Sequence, residues 1–304
     1  MNEKMSWELK KRLKSVVDKE IGTVKKEFGG KTSIALVYPN TYSVGMGNLA
    51  IHAFYKMFNE RDDFVCERFF LPDKNDLSEY KRTRSPLMSL ESQRPLSDFD
   101  IVAFSISFEN DYLNIIPILE FAKIPYRAGL RGESYPLLIC GGAAPTLNPE
   151  PLQEIFDSIF LGEMECFTPE DFLHPTANKK ICHAKNLDDF PVQTVIYSDK
   201  AEFGNMHLIE VQRGCPYRCN FCATPAIYGK PRMRSADAVL KMVETGLKYR
   251  KRFGLIGAHI LSHPEFDKIA EGIHAVGATF SPSSVRVNDI SEKKAKLLAR
   301  SGHR

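Results

Sequence analysis

The stretch Arg213-Gly-Cys-Pro-Tyr-Arg-Cys-Asn-Phe-Cys-Ala223 decides how the rest of this chain is read. It places Cys215, Cys219 and Cys222 in a C-x3-C-x2-C run directly after Met206–Gln212, a short apolar segment that reads as a strand. Thiolates are the ligands of iron–sulfur clusters, and four are normally supplied. Three close cysteines with no obvious fourth nearby leave one iron without a protein thiolate. An open coordination position is what a reactive metal site needs, and N and O donors of a substrate or cofactor could fill it. Three blander readings stand beside this one. A structural zinc site would want four ligands, and the nearest preceding histidine, His207, lies within the strand itself. A ferredoxin-type cluster would need a fourth cysteine. The thiols could also be clustered by chance.

Downstream of the loop the pattern alternates. Ser235 is an N-cap candidate for a helix reaching about Arg252, with Val239, Leu240, Val243 and Leu247 on one face. Gly254–Leu261 reads as a strand and Pro264–Val276 as a helix closed by Gly277. A third strand lies within Thr279–Val287. Ser291 caps a helix running to about Arg300, which Gly302 stops.

Upstream, residues 1–28 read as a helix carrying Leu9, Leu13, Val16 and Val17, ended by Gly29-Gly30. From Lys31, short apolar runs alternate with amphipathic ones. Ser33–Tyr38, Phe64–Leu71, Asp100–Ser107, Pro136–Cys140 and Ile155–Leu161 read as strands. Asn48–Asn59, Tyr112–Lys123 and the short Pro149–Glu154 read as helices. Strands alternating with helices predict an α/β, Rossmann-like doubly wound parallel sheet. The predicted domains are an N-terminal helical segment (1–30), the Rossmann-like domain (31–165), a Pro-interrupted linker (166–204) and a core domain built around the cysteine loop (205–304).

Bulk composition narrows the class. The 304 residues are 43% hydrophobic and 26% charged, an ordinary globular mixture. A net charge of +3 gives no electrostatic case for nucleic acid or an acidic membrane. There is no run of about 18 apolar residues to span a membrane, and the Lys- and Glu-rich start lacks the apolar region of a signal peptide. These features point to the cytoplasm. The cysteine count of seven is odd, which argues against a disulfide framework. Cys66, Cys140, Cys166 and Cys182 accordingly read as buried or free thiols.

The cysteine run, with an aromatic residue before its last cysteine and a strand before its first, resembles the signature of radical S-adenosylmethionine (SAM) enzymes. The resemblance implies that Cys215, Cys219 and Cys222 hold a [4Fe–4S] cluster and that Phe221 is the aromatic position of the cofactor site. It implies that the open iron chelates SAM, and that an electron from a donor such as flavodoxin or ferredoxin cleaves it to a 5′-deoxyadenosyl radical. The core would then be the first half of a (β/α)6 partial barrel. Arg286 and Asn288, near the end of its third strand, could contact SAM or form a surface pair. Ser262 and His263 could line the same mouth, or be polar loop residues. Lys230, Arg232 and Arg234 could steer an anionic substrate, or be a solvated basic run.

The first domain resembles the cobalamin-binding-like domains that precede such barrels. True cobalamin domains carry D-x-H-x-x-G after the first strand, a Ser motif after a middle strand, and Gly-Gly after the fourth. Here these positions read Asn40-Thr-Tyr42-Ser-Val-Gly45, Ser105 or Ser107, and Gly141-Gly142. Tyr42 stands where a cobalt-ligating His would be, and a phenol is a poor partner beside imidazole. The domain therefore either binds cobalamin without a protein imidazole, or is a structural or substrate-docking domain. Tyr38–Tyr42, Pro86–Ser92, Asp98–Ser105 and Gly141–Pro151 extend the resemblance over most of residues 31–304, to one uncharacterised radical SAM family. The resulting expectation is a radical SAM enzyme of unknown substrate, with an iron–sulfur electron carrier or redox sensor as the rival. About three βα units fit after Met206 at roughly 30 residues each, so the sequence is expected to stop partway through its barrel.

Overall fold

The structure, a computed structural model, describes residues 6–174 and 181–303. They divide into two compact units, residues 1–182 with 200–202, and residues 183–199 with 203–304. Residues 166–204 are thus shared between the two.

The first unit begins with α1 (Trp7–Val17), whose N-cap Ser6 accepts a hydrogen bond from the Leu9 amide. The helix expected over 1–28 stops there. Residues beyond Val17 leave the helix and deliver Glu20 to Arg68 and the Val24 amide to the Tyr55 hydroxyl. A continuous helix would keep its backbone amides for itself.

Five strands follow: β1 (Thr32–Tyr38), β2 (Phe64–Phe70), β3 (Ile101–Ser105), β4 (Leu137–Gly141) and β5 (Ser158–Phe160). They form one all-parallel sheet in the order β2-β1-β3-β4-β5. This is the predicted α/β sheet. Its helices are α2 (Tyr42–Gly45), α3 (Leu49–Asn59), α4 (Lys74–Thr83), α5 (Ile115–Ala122), α6 (Ala143–Leu147) and α7 (Pro169–Leu173). The sequence reading contained no α2, α4, α6 or α7, and its helix at Pro149–Glu154 is a single 3₁₀ turn, Glu150–Leu152. The apolar core gathers Ala35, Val37, Val102, Phe104, Ile118, Leu119 and Leu138.

β2 is buried along its whole length although it carries Glu67 and Arg68. The Arg68 guanidinium is fully buried and pairs with Glu20 at 2.7 Å and Glu91 at 2.6 Å. Its face also lies over the Tyr55 ring. Cys66 and Cys140 are buried free thiols, as expected. Cys166 and Cys182 are not free: they form a disulfide. A bridge that runs Cys182 parallel to Gly162 brings them together.

The second unit holds β6 (His207–Glu210), the two-residue β7 (Gln212–Arg213), α8 (Thr224–Tyr228), β8 (Arg232–Met233), α9 (Ala236–Leu247), β9 (Arg252–Ile256), α10 (Phe266–Ala275), β10 (Thr279–Pro282) and α11 (Glu292–Arg300). β6, β9 and β10 are parallel neighbours in the order β10-β9-β6, the successive strands of a partial barrel. The predicted caps hold. Ser235 accepts from the Ala238 amide, and Ser291 from the Lys294 amide. Gly277 and Gly302 adopt positive φ just past their helices. Phe253, Leu255 and Phe280 bury one sheet face against Val239, Val243, Ile269 and Ile273 of the helices.

The free edge of β10 is covered at one residue. The Phe280 N–H donates to the Ser301 hydroxyl, and the His303 ring donates to the Phe280 carbonyl. On the other side, the Thr194 N–H donates to the Leu208 carbonyl and the Glu210 N–H to the Val192 carbonyl, so residues 192–194 pair with β6. Among the described residues no helix is long and apolar enough to cross a membrane.

Candidate cluster site

The cysteine loop leaves the C-terminal end of the β6 strand segment, where ligands of parallel α/β sheets gather. Its base is fastened three times. β7 and β8 pair antiparallel, Gln212 with Met233 and Arg213 with Arg232. The Arg213 guanidinium grips the Glu210 carboxylate with two hydrogen bonds of 2.8 and 2.9 Å. Gly214 has φ +81°, and a Cβ there would stand 2.6 Å from the Lys230 carbonyl oxygen, so the crossing under residues 229–230 needs glycine.

The basic residues after the loop are fasteners as well. Arg232 donates to the carbonyls of Ala184 and Tyr228. Arg234 is fully buried, donating to the Leu187 carbonyl and to Glu210. Neither is a solvated cation for steering a substrate. His263 is buried too, bonded to the Arg234 carbonyl and to the Glu265 amide, and burial lowers its pKa. It is a structural residue.

The loop itself is open. Cys215 is half-buried, and Cys219 and Cys222 are exposed. The Cys222 amide donates to the Cys219 carbonyl at 3.1 Å, which folds the last two cysteines into one turn. Hydrogen bonding with the Thr224 hydroxyl, helped by the Thr224 amide, draws the Cys222 thiol below its ordinary pKa. Burial drives the thiols of Cys66 and Cys140 well above theirs. A cysteine ligates iron as its thiolate, so the chemistry of the donor set favours this loop over the other free cysteines. Among the described residues no three His, Cys, Asp or Glu side chains converge on a single ion. A cluster takes its thiolates one to an iron, spread around its corners, and does not require them to meet at one point.

Phe221 is 92% exposed. Arg286 belongs to the turn after β10 rather than to the strand: β10 ends at Pro282, and Val287–Asp289 is a 3₁₀ turn. Its guanidinium carbon lies 3.7 Å from the centre of the Tyr217 ring, inside the cysteine loop. Tyr217 was absent from the sequence-derived site, and only its place between two cysteines could have marked it.

In the first unit the residues of the cobalamin-like positions are spent on the chain itself. The Tyr42 hydroxyl donates to Glu20 at 2.6 Å, and its ring sits edge-on to Phe70. Asn40 donates to Asp111 at 2.8 Å. Ser105 is buried at the end of β3, and Ser107 accepts from Asn48. A Cβ on Gly45 would strike the Phe70 ring at 2.3 Å. One on Gly142 would strike the Ile106 carbonyl oxygen at 2.4 Å, and one on Gly141 would lie 3.2 Å from the Phe160 carbonyl oxygen. The space these glycines leave is thus occupied by protein. Two oxygens at this mouth, the Tyr38 hydroxyl and Oδ2 of Asp111, are buried without a partner. Tyr42 itself is engaged by Glu20, and these residues offer no imidazole at the position where a cobalamin domain carries its His.

Two family models cover most of the chain. That for the N-terminal part of radical SAM proteins matches residues 50–190, and that for the radical SAM superfamily matches residues 209–304. An uncharacterized protein of Methanocaldococcus jannaschii is 26% identical over 284 residues, covering 88% of this chain and 58% of that protein. Bacteriochlorophyllide d C-12(1)-methyltransferase of Chlorobaculum tepidum is 27% identical over 198 residues, 60% of this chain and 43% of the enzyme. The C-8(2)-methyltransferase of the same organism is 28% identical over 125 residues, 37% of this chain and 28% of the enzyme. The chain spans about half the length, or less, of the curated relatives it matches.

Proposed function

Because the chain belongs to the radical SAM superfamily, we propose that Cys215, Cys219 and Cys222 hold a [4Fe–4S] cluster and that the protein acts as a radical SAM enzyme on an unactivated carbon. When bound, the cluster and SAM supply a one-electron cleavage that yields a 5′-deoxyadenosyl radical. The likeness to two C-methyltransferases makes methyl transfer the favoured outcome.

The single observation that carries this reading is the contrast among the free thiols. Those of the loop stand accessible at the C-terminal mouth of a parallel sheet, and the others are sealed in the core. The chain's own residues then have defined tasks. The three cysteines bind iron, and Thr224 holds Cys222 toward its thiolate. Arg213, Glu210 and the β7–β8 ladder keep the loop's base in place. Phe221, projecting into solvent from that loop, is suited to shield bound SAM from water. An electron donor such as flavodoxin or ferredoxin would dock near the exposed loop. No step is assigned to cobalamin.

The test is anaerobic reconstitution with iron and sulfide, reduction with dithionite, and addition of SAM. The proposal expects a cubane-type electron paramagnetic resonance signal that changes on SAM addition, followed by 5′-deoxyadenosine. A signal that SAM leaves unchanged would support an electron carrier instead.

A further inference from the structure

Three loops meet at the C-terminal ends of β6, β9 and β10, and Tyr217 stands where they meet. The Arg286 guanidinium, from the turn after β10, caps one side of its ring at 3.7 Å from the centroid. The imidazole of His259, from the turn after β9, lies against it with ring centres 4.5 Å apart. His259 is itself buried, and its Nδ1 faces Asp289 at 3.4 Å, next to the Arg286 turn. The ring thus ties the spacer between Cys215 and Cys219 to both neighbouring loops.

We infer that Tyr217, Arg286 and His259 are positioning residues that hold the Pro216–Arg218 spacer in the geometry that places Cys215 and Cys219 as ligands. This rests on the cluster reading above. The physical reasoning is direct. Cys219 and Cys222 are disposed by a hydrogen-bonded turn of their own, whereas among the described residues no backbone hydrogen bond closes the spacer from Cys215 to Cys219. A spacer of three exposed residues would otherwise sample many conformations, and ordering it against a metal centre costs conformational entropy. A stacked cation and an aromatic neighbour order it in advance. Arg286 therefore serves the cluster loop rather than touching SAM directly.

The experiment uses the full chain with Tyr217→Ala, Arg286→Ala, the double variant and the conservative Tyr217→Phe. Hydrogen exchange of the metal-free protein is followed in the peptide covering the cysteine loop. Release of iron to a chelator is followed after reconstitution. One exposed cation–π contact corresponds to an exchange about two- to fivefold faster in Tyr217→Ala and Arg286→Ala. Both variants should also lose iron faster, the double variant should be no worse than Tyr217→Ala, and Tyr217→Phe should behave as the parent. Unchanged exchange and iron release in both alanine variants would overturn the inference. So would a Tyr217→Phe protein as impaired as Tyr217→Ala, because the ring and not the hydroxyl is engaged. If the parent chain bound no iron, the cluster reading would fail, and exchange alone would still decide whether the loop is held.

Discussion

Both units present the C-terminal ends of a parallel sheet, yet the two mouths are finished differently. In the first, glycine gaps are filled by neighbouring backbone and rings, and Asn40, Asn48 and Tyr42 bond to other side chains of the same unit. In the second, the chain anchors the base of its loop and the Tyr217 ring, and leaves two of three thiols in solvent. The same place in a fold is thus finished in two ways. What marks the working site is which polar groups are left for something other than the protein.

The comparison breaks most plainly at the thiols. Replacing Cys215, Cys219 or Cys222 by Ala should abolish the cluster, read as iron content and visible absorption after anaerobic reconstitution, whereas Cys66→Ala and Cys140→Ala should retain it. Loss of iron in the Cys140 variant alone would reverse the assignment of the two mouths.

Next in size is the buried ion network under the first mouth. Arg68→Ala strands two buried carboxylates, Glu20 and Glu91, and removing one partner of such a pair costs about 3–5 kcal/mol. Urea unfolding should show that loss. A cost under about 1 kcal/mol, the level of exposed pairs, would mean that the network is solvated and the mouth less closed than described.

A pH series sharpens the same point. Burial lowers the pKa of His52, in α3, from 6.5 to about 4, although its ring donates to the Met46 carbonyl. The unfolded chain therefore takes up this proton first as pH falls. The stability held by keeping His52 neutral is complete above about pH 6.5 and is lost progressively toward pH 4, by up to about 3 kcal/mol. His52→Asn should flatten that dependence in urea midpoints measured at pH 7 and pH 5. Equal slopes in parent and variant would show that the imidazole is not sealed.

The smallest expected effect is none at all. Equilibrium dialysis against hydroxocobalamin should leave no stoichiometric cobalamin on the protein. Stoichiometric retention would mean that the glycine gaps open, and a Co(II) spectrum with nitrogen superhyperfine coupling would identify an imidazole ligand.

Much of this was legible in the sequence, wherever the signal was local. The strand–helix alternation, the caps at Ser235 and Ser291 and the cysteine run all lie within a few neighbouring residues. α4 escaped notice because Lys74–Thr83 buries only Tyr80, which leaves almost no apolar period to see; its Asp73 cap was the available sign. The end of α1 escaped because it depends on Glu20 reaching Arg68 on a distant strand. The Cys166–Cys182 bond depends on the bridge between Gly162 and Cys182, which no periodicity reports. Arg286 was read as lying at the end of the third strand, but its partner could not be read, since stacking on Tyr217 joins two separate βα units.

The covered edge of β10 has a consequence for handling the protein. An unpaired strand is a template on which another chain can add. Here a hydroxyl and an imidazole occupy the outward amide and carbonyl of Phe280, so an arriving strand must first displace them. Each of the two groups guards one half of that residue, the hydroxyl its N–H and the imidazole its carbonyl. A substitution at Ser301 or His303 would therefore uncover one hydrogen-bonding group on the outer edge, and strand addition between molecules would begin there.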